Sequence, residues 1–243
     1  MIVFFTFSVF EDIAKFGEEE TAHCIRVLRH KTGDEIPFVD GKGNFYKGVI
    51  TEISKKEFTA CITSVTKIAP LPYELHLAVA QLKNQERYEW FVEKAVEIGV
   101  RSITPLITDH SEKRSFRRDR IEKIVLSSVK QSLKGFVPVI NNPSVFADFI
   151  NTRTSGEDIK MIGYCENVPK LSVREVLDKH KSESRISVPP VITILIGPEG
   201  DFSADEVKKA LDAGYETIHL GTSRLRTETA AVMAAASVYL YFQ

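Results

Sequence analysis

The sequence predicts an α/β protein led by a small strand-rich module, and three observations carry that expectation. From residue 73 onward, apolar runs of strand length alternate with amphipathic helical stretches, the pattern of a largely parallel sheet covered by helices. The first seventy residues read differently, as short alternating strands broken by tight glycine turns, which suggests a small barrel. The segment "APLP" separates the two patterns, and Pro70 and Pro72 fit a domain boundary. The expected domains are therefore 1–70 and 73–243.

In the first module, "MIVFFTF" is a strand candidate and "EEETAHCIRVLRH", 18–30, a short helix or helical turn. Gly33-Asp34, Asp40-Gly41 and Gly43-Asn44 mark turns between short strands, and "EFTACITSV" alternates as a further strand. After the prolines come the strand "ELHLAVA" and the amphipathic helix "QERYEWFVEKAVEIG". Its apolar side is expected at Trp90, Phe91, Ala95 and Ile98, with Gly99 as C-cap. The strand "VRSITPLIT", the helix "RRDRIEKIVLSSVKQSLK", the segment "FVPVI" and the short helix "PSVFADFI" follow. Next are the strand "IKMIGYC", the helix "LSVREVLDKH" and a polar surface loop, "KSESRISVPP". The chain finishes as "VITILIG", a helix from Ser203, "YETIHLG", and a helix from about Arg226. "VITILI" and "TIHL" are apolar enough to be central strands.

A length of 243 residues suffices for one large domain, or a small one and a larger one. With 43% hydrophobic and 27% charged residues and a formal net charge of −1, bulk charge does not announce a nucleic-acid binder, so any such surface is local. Cys24, Cys61 and Cys165 have neither metal spacing nor an evident pairing and fit a reducing compartment. The apolar N-terminus lacks a basic region and a cleavage site, and no stretch approaches a membrane span, so a cytoplasmic location is expected.

Ligands of such sheets bind outside the carboxyl ends of the strands, which places 197–200 and 221–226 at the expected site. In "GPEGDFS", Gly197 and Gly200 permit close backbone approach, Pro198 stiffens the turn, and Ser203 with Glu206 can form a capping box. The loop is no phosphate cradle: Glu199 would repel a phosphate and suits a ligand that offers donors, such as an amine or ribose hydroxyls. The glycines could equally serve the shape of a strand-to-helix turn. In "HLGTSRLRTETAAVMAAASVYLYF", Gly221 ends a strand, and Arg224 and Arg226 can serve different partners. Thr227 or Thr229 can cap the last helix, with Glu228 in its first turn. That helix is small and apolar enough to pack very closely, against another chain or a compact knot of backbone, or simply as a buried C-terminal helix.

A basic run at 109–120 holds Lys113, Arg114, Arg117, Arg118 and Arg120 around Phe116, either a phosphate-binding surface or a solvated face. His23, Arg26 and Arg29 have helical spacing and could form one basic face toward a polyanion, or Arg26 could pair with Glu19 or Glu20. His76, His110 and His219 lack zinc spacing, no metal site is expected, and no serine nucleophile elbow occurs.

Taken together and in order, these segments resemble the bacterial 16S ribosomal RNA (uracil-N3) methyltransferases, a family of the SPOUT superfamily. "HCIRVLRHKTGDEI" is similar to the family's N-terminal barrel, a PUA-like RNA-binding module. "QLKNQERYEWFVEKAVEIGVRSITPLIT" is similar to its first strand–helix–strand block, including Lys83, Lys94, Glu97, Gly99 and Pro105. "HSEKR" and "VKQSLKGFVPVI" resemble the next block. "LIGPEGDFSADEV" and "HLGTSRLRTETA" resemble the two motifs around the methyl donor. The chain departs from the family pattern at Asp201, where glycine is usual, at Arg224, where an apolar or small residue is usual, and at Lys134, where arginine is usual.

The resemblance implies a PUA-like β-barrel over 1–70 and a SPOUT domain with a trefoil knot over 73–243. It implies S-adenosyl-L-methionine as cofactor, a homodimer, and 16S ribosomal RNA or the small ribosomal subunit as partner. The reaction so implied is methylation of N3 of a specific uridine. Another RNA position, such as a ribose 2′-hydroxyl, and a non-catalytic assembly factor are the other readings. Deprotonating uracil N3, roughly two pKa units above neutrality, costs about 3 kcal/mol, so positioning and a nearby cation can supply much of the rate. Arg226 is the expected cation, Glu228 the proton acceptor or orienter, and Glu199 a group that accepts from the base or the donor's amine. Leu195, Gly197, Pro198, Glu199, Gly200, Leu220, Gly221, Leu225 and Arg226 are expected at the cofactor. His23, Arg26, Arg29, Arg114, Arg117, Arg118 and Lys134 are expected at the RNA.

Overall fold

The computed structural model of the chain describes residues 2–111, 116–152, 159–166, 168–182 and 189–243. The expectations for Lys113, Arg114 and most of the polar loop at 181–190 fall outside them. Two compact units emerge, one of Met1–Pro70 with Leu126–Val137, the other of Leu71–Val125 with Pro138–Gln243.

The first unit is built on strands β1 (Phe4–Phe5), β2 (Ser8–Phe10), β3 (Ile13–Phe16), β4 (Glu35–Val39), β5 (Asn44–Ile53) and β6 (Phe58–Lys67). They form one sheet in the order β1-β4-β5-β6-β3-β2. Its core is aromatic: Phe4, Phe16, Phe38 and Phe58 are buried, with Phe16 and Phe58 stacked at 4.2 Å. Burial on this scale contributes roughly 1.5–3 kcal/mol per large side chain. Thr6 joins the two ends of the sheet. Its N–H donates to the Val39 carbonyl at the end of β4, and its hydroxyl donates to the Lys15 carbonyl of β3.

The turn between β4 and β5 is organised by Asp40. Its carboxylate accepts from the Lys42 and Asn44 amides, the Asn44 side chain and the Tyr46 hydroxyl. Burial pushes this carboxyl up, but those donors outweigh it and hold the group below its ordinary range. Gly43, at φ 93°, has no room for a side chain, because a Cβ there would lie 2.4 Å from the Phe136 ring.

The expected helix at 18–30 divides. Helix α1 (Glu18–Ala22) passes into a π-helical turn, His23–Val27, closed by Leu28 N–H donating to the His23 carbonyl. Arg29 lies beyond it at φ 59°, so His23, Arg26 and Arg29 do not share one α-helical face.

The second unit begins with β7 (Glu74–Ala80), α2 (Gln85–Ile98), β8 (Ser102–Ile107) and α3 (Arg118–Gln131). It continues with β9 (Val139–Ile140), β10 (Ser144–Val145), α4 (Phe146–Thr152), β11 (Ile159–Gly163), β12 (Leu171–Ser172) and α5 (Val173–Ser182). It ends with β13 (Val191–Ile196), α6 (Ala204–Asp212), β14 (Glu216–His219) and α7 (Thr227–Tyr241). Residues of α3 from Leu126 on group with the first unit.

The strands run β10-β8-β7-β13-β11-β14-β12, with β9 beside β8, and their pairings are parallel. β13 is central, as its unbroken apolar run requires, with Ile192, Ile194 and Leu195 fully buried. "TIHL" is not central: β14 lies between β11 and the two-residue β12, next to the edge.

Helix α2 begins at Asn84, whose side chain accepts from the Glu86 amide, and ends at Gly99, at φ 109°, whose N–H reaches the Ala95 carbonyl. Its buried face is Tyr88, Phe91, Val92, Ala95 and Val96, and Trp90, expected inside, is 44% exposed. α2 packs on α7, and the buried side of α2 runs through Tyr88, Phe91, Val92, Ala95 and Val96, leaving Trp90 at its margin.

Candidate functional site

Three loops leave the carboxyl ends of adjacent strands and line one cleft of about 570 Å³. The loop after β11 contributes Tyr164, Cys165, Glu166 and Lys170; the loop after β13 contributes residues 197–201; the loop after β14 contributes residues 220–225. Thr227 and Ala230 of α7 complete the lining. The strand order explains the convergence. Chain order breaks where β11 inserts between β13 and β14, and such a break leaves a crevice at the strand ends.

The 197–203 loop is held from every side. Asp201 N–H closes a turn on the Pro198 carbonyl. Asp201 itself sits at φ 62°, a conformation that glycine adopts freely and aspartate tolerates better than most residues. Its carboxylate accepts from the Cys165 amide at 2.8 Å and from the Phe202 amide at 2.8 Å. The departure from glycine thus ties the loop after β13 to the loop after β11. Lys170 supports the latter by donating to the carbonyls of Tyr164, Cys165 and Glu166.

Ser203 and Glu206 form the expected capping box of α6. Glu206 is buried and uses both oxygens, accepting from the Ser203 amide and from the Asp109 amide. The Ser203 hydroxyl also donates to Asp109 Oδ2 at 2.6 Å. His110 Nδ1 donates to the carbonyls of Gly200 and Asp201, at 3.0 and 2.9 Å. The bond to Asp201, with smaller help from nearby carboxylates, raises the His110 pKa above its ordinary 6.5.

Thr227 does not cap α7. It is the first helical residue, and its hydroxyl donates to the Gly197 carbonyl at 2.9 Å in a buried bond. Arg226 is the N-cap, without a side-chain cap bond, and its side chain is exposed. Residues 221–224 are also exposed, and Gly221 N–H donates to His219 Nδ1 at 3.3 Å.

Of the residues expected at the cofactor, Gly197, Pro198, Glu199, Gly200, Leu220, Gly221 and Leu225 line the cleft. Leu195 is instead wholly buried in the sheet core beside Ala78 and Ile162, and Arg226 flanks the cleft without lining it. Glu228 turns away as well. It is buried against α2, its Oε1 3.8 Å from Arg87 Nε and its Oε2 without a hydrogen-bond partner among the described residues. Glu199 is exposed at the cleft.

Among the residues expected at RNA, Arg118 is occupied. It donates to Glu122, to the Asn142 side chain and to the Ile140 carbonyl, which makes it a strut between α3 and the end of β9 rather than an open phosphate contact. Arg120 is likewise paired with Glu89, whose two oxygens accept from its Nε and Nη2. Arg117, Arg26 and Arg29 are exposed. His23 is half-buried with its ring edge-on to Phe4, and Glu20, a possible partner of Arg26, is bonded to Lys130. Lys134 is half-buried just after Leu133, which sits at φ 55°.

A parallel sheet with a cleft at its reordered strand ends, preceded by a small strand-rich unit, defines an α/β protein with a candidate ligand site at its loops. Comparison with known proteins narrows the class. Residues 69–239 match the RNA methyltransferase domain, and residues 16–64 match the RNA methyltransferase PUA domain. Ribosomal RNA small subunit methyltransferase E of Rickettsia conorii is 30% identical over 230 residues, covering 93% of this chain and 89% of that protein. The crystal structure of a probable rRNA-methyltransferase from Porphyromonas gingivalis has a TM-score of 0.88 at 32% identity, covering 100% of this chain and 98% of that one. A ribosomal RNA small subunit methyltransferase E from Neisseria gonorrhoeae, bound to S-adenosyl methionine, has a TM-score of 0.83 at 26% identity, with 100% and 98% covered. The chain therefore belongs to the PUA-bearing RNA methyltransferase family that includes the ribosomal RNA small subunit methyltransferases E.

Proposed function

We propose that this protein transfers a methyl group from S-adenosyl-L-methionine to N3 of a uridine in 16S ribosomal RNA of the small ribosomal subunit. One observation carries the reading. The cleft at the strand ends joins a pinned glycine loop to an exposed basic one, and it offers carboxylates and backbone groups rather than a phosphate cradle. The names of the relatives and the ligand of the Neisseria protein point the same way.

The residues present fit such a cofactor. A cleft of about 570 Å³ is within the range of small-molecule sites. Glu199 and Glu166 can accept from an amine or ribose hydroxyls, and Arg224 can meet a carboxylate. Backbone groups of 197–200 and 220–225 can read the adenine. When bound, S-adenosylmethionine supplies the methyl group. Arg226, exposed beside the cleft, favours the N3 anion of the uracil by its charge. Glu228, buried in the first turn of α7 and next to Arg87, serves as an orienter of the α7 terminus, a role its burial supports better than direct proton abstraction.

Arg26, Arg29 and Arg117 are assigned to phosphate contacts, as are Lys134 and His23; Arg114, outside the described residues, is assigned with Arg117. Because N3 lies on the Watson–Crick edge, the target base is reached unpaired. The 1–70 region acts as a PUA-like barrel, a closure supported by the bonds of Thr6 to both β4 and β3. The 73–243 region acts as the SPOUT domain. Its trefoil knot is supported by the buried bond between Thr227 and Gly197, thirty residues apart in the chain. A homodimer is supported by a broad groove along α5, α7 and the C-terminus, where Leu240 is 70% and Met233 44% exposed. Among the described residues no helix is long and apolar enough to cross a membrane, and a cytoplasmic location follows from a ribosomal substrate.

The test is incubation with labelled methyl donor and unmodified small subunits, followed by mapping of the modified nucleotide. Label on N3 of one uridine is expected. Label on a ribose hydroxyl, or none despite donor binding, overturns the assignment.

A further inference from the structure

Residues 108–111 form a tight turn at the carboxyl end of β8. Ser111 N–H donates to the Thr108 carbonyl, Thr108 N–H donates to Ser111 Oγ, and the two hydroxyls lie 2.8 Å apart. The turn is fastened to the start of α6 through Asp109, whose amide donates to Glu206 and whose carboxylate accepts from Ser203. His110 is thereby set at the tip of a rigid element, its ring aimed at the 197–203 loop. A Cβ on Gly200 would lie 3.3 Å from His110 Cβ, so the imidazole stem packs on a bare α-carbon.

We propose that His110 is a positioning residue for the methyl-donor loop, fixing the Gly200 and Asp201 peptide planes through one bifurcated donor. The proposal rests on the reading of the cleft as the donor site. Because peptides are planar, the direction of the Gly200 carbonyl fixes the plane before Asp201, and that of the Asp201 carbonyl fixes the plane after it. One N–H that holds both carbonyls sets the backbone of Asp201 between them, in the left-handed conformation that it occupies at some cost. His110 does not line the cleft. It acts through Gly200 and Asp201, which do.

The test compares His110→Leu, which keeps bulk without a donor, with His110→Asn, whose amide can place an N–H near the Nδ1 position. S-adenosylmethionine affinity is read by calorimetry, steady-state methyl transfer on small subunits gives kcat and the donor KM, and melting temperature is recorded without donor. His110→Leu is expected to weaken donor binding and raise the donor KM about tenfold, with kcat at saturating donor within about twofold. His110→Asn is expected to return donor affinity to within about threefold of wild type. Wild-type affinity in His110→Leu overturns the proposal, as does equal weakening in both variants. Failure of the wild-type protein to bind the donor overturns the assigned function and this proposal together, whereas donor binding by wild type with His110→Leu unaffected overturns this proposal alone.

Discussion

The two loops that face each other across the cleft are built to opposite standards. The 197–203 loop is hydrogen-bonded to the turn after β8, to the loop after β11 and to the first residue of α7, and it runs into a helix with a complete capping box. The 220–226 loop has exposed residues at 221–224 and leads into a helix whose N-cap side chain makes no capping bond. One wall is shaped before any ligand arrives, and the other keeps its polar groups in water. Preorganisation lowers the ordering cost of binding, so the first wall suits recognition of a small cofactor. Exposed arginines that retain their freedom suit a large polyanion that brings its own shape.

Substitutions on the two walls should therefore have different signatures. The largest effect is expected from Arg226→Ala on the open wall. Methyl transfer should fall about 100-fold or more while donor affinity changes less than about threefold, read by transfer assay and calorimetry on the same variant. Equal losses in both would place Arg226 with the cofactor instead. Thr227→Val removes the bond that joins the walls and strands the Gly197 carbonyl in a buried position. It should cost about 1–3 kcal/mol in denaturant unfolding, and an unchanged midpoint would mean that water or another donor replaces the hydroxyl. Ser203→Ala, on the pinned wall, should cost about 1 kcal/mol through the lost cap. Thr222→Ala and Ser223→Ala, on the open wall, should shift stability by less than about 0.5 kcal/mol without donor. A larger loss from either would show that this wall, too, is built in advance.

Local rules were legible in the sequence where they involve neighbours in the chain. The alternation of strands and helices, the Ser203–Glu206 capping box, the Gly99 C-cap and the position of both glycine loops at strand ends follow from spacing alone. Choices made by distant partners were not legible. Trp90 is a plausible inward residue of α2 by spacing, yet packing against α7 leaves it exposed and buries Val92. Arg118 belongs to a conspicuous basic run, yet a carbonyl in β9 and the Asn142 side chain claim its guanidinium. Thr227 fits a helix cap by sequence, but a carbonyl thirty residues away competes better for its hydroxyl. His110 belongs to the family-like segment "HSEKR" and lacks zinc spacing, but its contacts are not legible, because its partners are backbone oxygens that carry no residue signature. The grouping of Leu126–Val137 with the first unit likewise has no marker in the hydropathy pattern.

Asp201 bears on what this chain can become. Glycine at that position would meet the left-handed backbone without cost, but it would leave the Cys165 amide without its carboxylate. Since the carboxylate takes hold of an amide, position 165 can accept any residue that still carries one, and proline is the replacement it forbids. The aspartate also meets the Cys165 thiol, so a replacement at 165 that keeps the amide keeps one of two contacts. A relative with glycine at 201 would be released from the ban on proline at 165, so the two positions should be read as a pair when the loop is redesigned.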